Sequence, residues 1–352
     1  MNAQDDRVPV TLLTGFLGAG KTTLLNHLIH DPDAGRIAVI MNEFGDVGLD
    51  HDLIEEVTGD IVLMHAGCLC CSIRGDLAKT MTLLLSRRKR GQLTFDRVVI
   101  ETTGIADPGP IVNTMVTDPL IADNYRLDGV VVLADAAAGP GTLDKQFEAV
   151  SQVAMADLIV VTKTDLVTPA ECDRFETRLE ALNGSARRVR AEHGRVPVET
   201  LFGLSAMHST ATSQEITDWL GAHDRPQHSD HRHHRIASAS IELCDPIPAR
   251  TFDFWLDTLM ALRGPDVLRM KAILHVEDVD CPLVFHGVQH IIDAPVPLTS
   301  WSGTDTTSRV VIIARDIDKD DLEASLDVLH MRPKEAETGA DQMMNRTTEM
   351  PF

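Results

Sequence analysis

The chain lacks any long apolar run. None of its 352 residues falls in a stretch near the 18 or so apolar positions that a membrane-spanning helix needs, and its start, MNAQDDR, is polar and acidic with no apolar h-region. Positive charge is also scarce. With 32 basic against 53 acidic side chains the formal charge is -21, which repels nucleic acid and anionic membrane surfaces at long range. Neither partner is expected, and the reading is a soluble, cytoplasmic protein. Cysteine is sparse and uneven: of six, three crowd together at Cys68, Cys70 and Cys71, a pattern unlike a disulfide framework and closer to a metal or redox site.

What the chain does carry is GFLGAGKTT, residues 15–23, between VPVTLLT and LLNHLI. It fits G-x-x-x-x-G-K-[ST] through Gly15, Gly20, Lys21 and Thr22. An apolar, β-branched run at 8–13 stops at this glycine-rich loop, and Leu24, Leu25 and Leu28 then recur at helical spacing, so the motif has its strand, loop and helix. Backbone N–H groups from Gly18, Ala19, Gly20 and Thr23 can turn onto a phosphate chain there. The helix N-terminus adds partial positive charge, Lys21 reaches the β and γ oxygens, and Thr22 offers a hydroxyl to Mg²⁺.

Further along, a buried strand at 36–41 delivers Asn42, Glu43, Phe44, Gly45 and Asp46 to its carboxyl end, the ligand side of open α/β sheets. A short strand at 61–64 precedes the cysteines, and Leu77, Met81, Leu84 and Leu85 mark an amphipathic helix over 73–88. The strand at 97–100 ends in Glu101, followed by Thr102, Thr103 and Gly104. A phosphate-loop NTPase needs an acid there for the metal's water shell and a glycine amide near the γ-phosphate. After a strand at 129–134 that leads to Asp135, the strand at 158–161 ends in Thr162, Lys163, Thr164 and Asp165. The Asp165 carboxylate can accept two hydrogen bonds from guanine that adenine does not offer, and the Lys163 stem can lie along the ring, which favours GTP over ATP. For the loop closing the other side of the base there are two candidates, Glu192-His193-Gly194 after a strand at 188–191, and Leu204-Ser205-Ala206.

The expected fold is α/β, a P-loop NTPase with a mostly parallel sheet over residues 1–222, plus a small α+β C-terminal domain over 236–332. Its strands are read at 236–243, 268–275, 283–292 and 309–314, and its helices at 252–262 and 320–329. Between the domains lies a linker, 223–235, holding His223, His228, His231, His233 and His234; weak cation binding and a plain solvated linker both fit it. The tail, 333–352, has little to bury and is expected to be disordered.

An extended segment puts Cys68 and Cys70 on one side and Cys71 on the other, unless a bend at the following helix brings all three to one ion. Thiolates favour Zn²⁺ or another late transition metal, with a carboxylate, water or His65 completing a tetrahedron. A redox pair and inert buried thiols are the alternatives.

With these residues laid out, the chain resembles the CobW-type metallochaperone GTPases, relatives of the UreG and HypB nickel-insertion GTPases, over residues 10–329. GFLGAGKTTLLNHL, NEFGDVGLD, GCLCCSIRGDL, ETTGIADPGPI and TKTD stand in the family's order, and LRMKAIL and VFHGVQ resemble its C-terminal domain. The resemblance implies binding of GTP, GDP and Mg²⁺. Lys21 and Thr22 then take the phosphate and Mg²⁺ roles, Glu101 (directly or through water) and Gly104 the Walker B and γ-phosphate-sensing roles, and Asp165 the guanine role, beside Thr162 and Lys163. It also implies that Cys68, Cys70 and Cys71 bind a cargo metal, with Zn²⁺ favoured and Co²⁺ open, for delivery to a recipient metalloprotein. Two departures stand out. Thr162 occupies a place where many GTPases have Asn, and Met41 precedes NEFG where some relatives carry an acid, so no fourth metal ligand comes from there. No arginine finger or water-orienting glutamine is evident, so hydrolysis should be slow until the recipient binds. A small-molecule kinase with structural zinc and a zinc-responsive sensor are the rival readings.

Overall fold

The structure, a computed structural model, describes residues 6–42, 54–58, 61–66, 73–207, 211–221, 236–299, 301 and 305–332. In chain order the first part comprises β1 (Val8–Gly15), α1 (Lys21–Ile29), β2 (Ile37–Asn42), β3 (Ile54–Thr58), β4 (Ile61–Ala66), α2 (Ile73–Lys89), β5 (Arg97–Glu101), α3 (Gly109–Thr117) and α4 (Pro119–Ala122). It continues with β6 (Tyr125–Asp135), α5 (Gly139–Lys145), α6 (Phe147–Met155), β7 (Leu158–Thr162), α7 (Pro169–Leu182), β8 (Arg187–Arg190), α8 (Val198–Leu201) and α9 (Ser213–Leu220). The strands form one sheet in the order β3-β4-β2-β5-β1-β6-β7-β8. Every neighbouring pair from β4 to β8 is parallel, and only β3 runs antiparallel, on β4.

Alternation explains the layers. Val98 and Ile100 of β5, Val130 and Val132 of β6, and Ile159 and Val161 of β7 face a core that contains Met81, Ile111, Val150 and Phe175 of α2, α3, α6 and α7. The residues between them, Val99, Val131, Leu133, Leu158 and Val160, face Leu24, Leu25 and Leu28 of α1 and Leu201 of α8. Helices thus cover both faces, which is why the strands read as unbroken apolar runs rather than as alternating ones.

The second part holds β9 (Ile236–Leu243), α10 (Ala249–Arg263), β10 (Val267–Leu274), β11 (Leu283–Val288), β12 (Ile291–Ile292), β13 (Val296–Pro297), β14 (Ser308–Arg315) and α11 (Lys319–Asp327). Its sheet, β12-β11-β10-β14-β9 with β13 also on β11, is antiparallel throughout. Met270, Ala272 and Leu274 of β10 pack on Phe252, Trp255 and Leu259 of α10 and on Leu322 and Leu326 of α11. The opposite face packs on the first part: Leu268, Val288 and Ile313 join the core that holds α3 and α6. That face also carries Arg269 and Lys271, both fully buried. Arg269 donates from Nη2 to Asp157 Oδ1 at 2.5 Å, and Lys271 Nζ lies 3.2 Å from the same oxygen and donates to Trp219 O at 2.8 Å. The other Asp157 oxygen accepts from the Val130 N–H at 3.0 Å. Burial pulls the Lys271 ammonium down to about 8, although Asp157 opposes the shift. Burial acts on Asp157 in the raising direction, but Arg269 and Lys271 outweigh it and hold the carboxyl below its ordinary value.

Several elements differ from expectation. β3 pairs on the sheet edge where the sequence suggests no strand, and α3 to α6 stand on either side of the expected β6 between Glu101 and β7. The expected single strand at 283–292 is two strands joined at Gln289 and His290, with Val288 facing Ile291. Gln289 has φ 56, a left-handed conformation that nothing in its side chain advertises. Residues 43–46, Cys68, Cys70, Cys71, the histidine linker and the tail lie outside the described residues.

Candidate nucleotide and metal site

The candidate site lies at the carboxyl ends of β1, β5, β6 and β7. Gly15 has φ 141 and lies so close to β6 that a Cβ would come within 2.5 Å of the Leu133 carbonyl oxygen. Gly20, with φ 98, caps α1 and has no side chain to accept from the first-turn amides, so that N-terminus is suited to an anionic ligand. Lys21 is folded back over the loop and donates from Nζ to Gly15 O at 2.7 Å and to Phe16 O at 3.3 Å. Burial lowers its pKa, with the Glu101 carboxylate opposing. A cation held this way, against backbone oxygens, can transfer its N–H groups to phosphate oxygens.

Thr22 and Glu101 are brought together from 79 residues apart: Thr22 Oγ1 donates to Glu101 Oε1 at 3.3 Å. Two hard oxygen donors converging beside a phosphate loop fit Mg²⁺. After Glu101 the chain is pinned to β1. Thr102 N donates to Leu13 O at 3.0 Å and Thr102 Oγ1 to Thr14 Oγ1 at 2.7 Å. Gly104 then lies against the phosphate loop itself, where a Cβ would sit 2.6 Å from Leu17 N. From below, the buried Gln152 of α6 donates from Nε2 to Ala106 O at 3.1 Å and to Gly104 O at 3.4 Å.

At the other end, Thr162 Oγ1 donates to Ala19 O at 2.8 Å. A threonine, where many GTPases have Asn, thus braces the phosphate loop. Lys163, with φ 56, pairs through Nζ with Asp135 Oδ2 at 2.7 Å, while Asp135 Oδ1 accepts from the amides of Ala137 and Ala138 at 2.8 and 3.0 Å. In the sequence, Asp135 stands out only as the end of a strand. An acid closing a buried strand is nonetheless the feature that marks Glu101 as well. Asp165 is exposed, in the short 3₁₀ turn Thr164–Leu166 that follows Lys163. Of the two candidate base-closing segments, the structure brings one to this edge. Ala191 N donates to Val161 O at 2.8 Å, and Gly194 is placed so that a Cβ would come within 2.9 Å of Thr23 Cγ2, in the first turn of α1. Leu204 instead packs against Gly129, beside Asp157 and far from the phosphate loop along β6, so the segment 204–206 is removed as a candidate.

The cysteine segment runs between Ala66, the last residue of β4, and Ile73, the first of α2. Met41 of β2 is in register with His65 on one side and with Glu101 on the other. The carboxyl end of β4 therefore lies two strands from Glu101, or about 10 Å at ordinary strand spacing.

A family model described as CobW/HypB/UreG, nucleotide-binding domain, matches residues 9–190. The chain belongs to the CobW/HypB/UreG family. A second model, the cobalamin synthesis protein cobW C-terminal domain, matches residues 236–329. Among relatives of this family, the chain is 33% identical to the zinc chaperone YjiA of Escherichia coli K12, over 90% of this chain and 97% of that one. It is 30% identical to a Sinorhizobium protein named zinc chaperone CobW, over 93% and 98%. The crystal structure of the Zn(II)-bound YjiA GTPase from E. coli superposes with a TM-score of 0.74 at 29% identity, covering 92% of this chain and 99% of that one. The fold is thus the P-loop α/β fold with a separate antiparallel-sheet C-terminal domain.

Proposed function

We propose that this protein is a GTP-hydrolysing zinc chaperone that binds its cargo at Cys68, Cys70 and Cys71 and hands it to a recipient metalloprotein. The observation that carries this reading is the register Met41 with His65 and Met41 with Glu101, which launches the cysteine segment from the same sheet edge as the acid beside Thr22. The names of the relatives support zinc as the cargo and GTP as the nucleotide. Residues 1–222 carry the GTPase, 223–235 link it, 236–332 contact the recipient and 333–352 form a tail.

In this reading the amides of Gly18, Ala19, Gly20 and Thr23 and the Lys21 ammonium hold the phosphates, and Gly104 reads the γ-phosphate. Thr162 and Lys163 shape the loop that presents Asp165 to guanine. Thr22 and Glu101, the latter directly or through water, would hold Mg²⁺, which when bound supplies positive charge against the phosphates. Water displaces GDP from the γ-phosphorus as the bond to the bridging oxygen breaks. The loop after Glu101 then loses a ligand and relaxes, and the motion passes along the sheet edge to the cysteine segment.

The test is a zinc titration of the full chain, loaded first with a non-hydrolysable GTP analogue and then with GDP. Affinity should differ by about 5- to 150-fold, and GTP analogue affinity should differ by the same factor with and without zinc. Cys70→Ser should lose zinc and keep the nucleotide. Equal zinc affinities in the two nucleotide states sink the mechanism.

A further inference from the structure

The C-terminal domain reaches into the segment that follows Glu101. Gln289, in the left-handed turn between β11 and β12, donates from Nε2 to Asp107 Oδ2 at 2.7 Å, and Asp107 Oδ1 in turn accepts from Gly109 N at 2.9 Å. The fit is tight. A Cβ on Gly109 would lie 2.2 Å from Gln289 Oε1, although the Gly109 backbone is in an ordinary helical conformation at the start of α3. One residue on, His290 Nε2 lies 3.4 Å from Asn113 Nδ2. The loop at residues 102–108 is thus held at three places: by Thr14 and Leu13 at its start, by Gln152 at Gly104 and Ala106, and by Gln289 at its end. The first two holds belong to the nucleotide domain. The third does not.

The hold is firm because its base is firm. β11 is paired with β10, whose Arg269 and Lys271 are locked on Asp157, two residues past the end of α6, the helix that also supplies Gln152. Gln289 therefore sits in a fixed frame relative to the loop. We propose that Gln289 is a positioning residue for GTP hydrolysis, holding the end of the 102–108 loop so that Glu101 and Gly104 meet the γ-phosphate in register. This rests on the GTPase reading above. It also gives the C-terminal domain a lever on turnover, since a partner that shifts the Gln289 turn shifts Asp107 with it.

The experiment is single-turnover GTP hydrolysis by the full-length chain and three variants: Gln289→Gly, Gly109→Ala and the double variant. Glycine suits the left-handed turn, so Gln289→Gly removes the amide without backbone strain. Alanine suits a helix, and the three atoms nearest a Cβ at Gly109 all belong to the Gln289 amide, which is what opposes Gly109→Ala. Each single variant should lower the rate about tenfold, with GTP affinity and melting temperature close to those of the parent, as loosened orientation does. In the double variant, Gly109→Ala should cost nothing beyond Gln289→Gly, because the space is free. Rates at the parent level in both single variants, or losses that multiply in the double variant, overturn the inference. A parent chain that hydrolyses no GTP overturns the GTPase reading, and this inference with it.

Discussion

The two ends of β7 carry charged side chains of the same kinds, arranged for different ends. Before its first residue, Asp157 has both oxygens engaged, one by Arg269 and Lys271 and the other by the Val130 amide, all out of contact with water. At and beyond its last residue, Thr162 and the Lys163–Asp135 pair brace loops, Asp165 faces solvent, and nearby Lys21 rests on carbonyl oxygens. The first cluster is enclosed within the protein, and its product is a fixed geometry between two sheets. The second is left short of negative charge at Lys21 and the α1 N-terminus, which is what a polyanionic ligand supplies.

The contrast can be broken from either side. The largest effect belongs to the enclosed cluster. Asp157→Asn keeps an acceptor for Val130 but strands two buried cations, and Arg269 already has Nε and Nη1 without partners among the described residues. Unfolding by denaturant should show a loss of about 3–5 kcal/mol. At the open end, Lys21→Ala should lower GTP turnover about 10²- to 10³-fold. Its melting temperature should not fall, because burial already disfavours that ammonium. A parent-like rate, or a loss of stability, would place Lys21 among the structural charges instead. The smallest effect is a pH slope. Lys271 has its pKa pulled by burial from 10.5 to about 8, so between these values the unfolded chain holds a proton that the folded chain has released. Stability should therefore rise with pH across that window, relative to Lys271→Met, in which the slope is absent.

Legibility followed the same division. The phosphate loop, the acid at the end of β5 and the TKTD turn are local patterns whose chemistry needs those residue types in that order, and Thr22 and Glu101 do meet. The interdomain seat is not local. Arg269 and Lys271 alternate with apolar residues as a solvent-facing row would, and only the packing of a second domain shows that the row is covered. Helices α3 and α5 begin with glycine and proline, which read as loop signals when no tertiary partner is in view. The Gln289 turn has neither Gly nor Asn at its left-handed position, so the sequence there suggests a continuous strand.

The seating of β10 has a practical consequence for anyone dissecting this molecule. Cleaving the chain ahead of β9 would strip Leu268, Val288 and Ile313 from the shared core and leave Asp157 as a lone anion under a bare greasy floor. Neither fragment should behave as a free-standing module. The polypeptide should melt in one step, and truncations meant to isolate the catalytic half should yield aggregates.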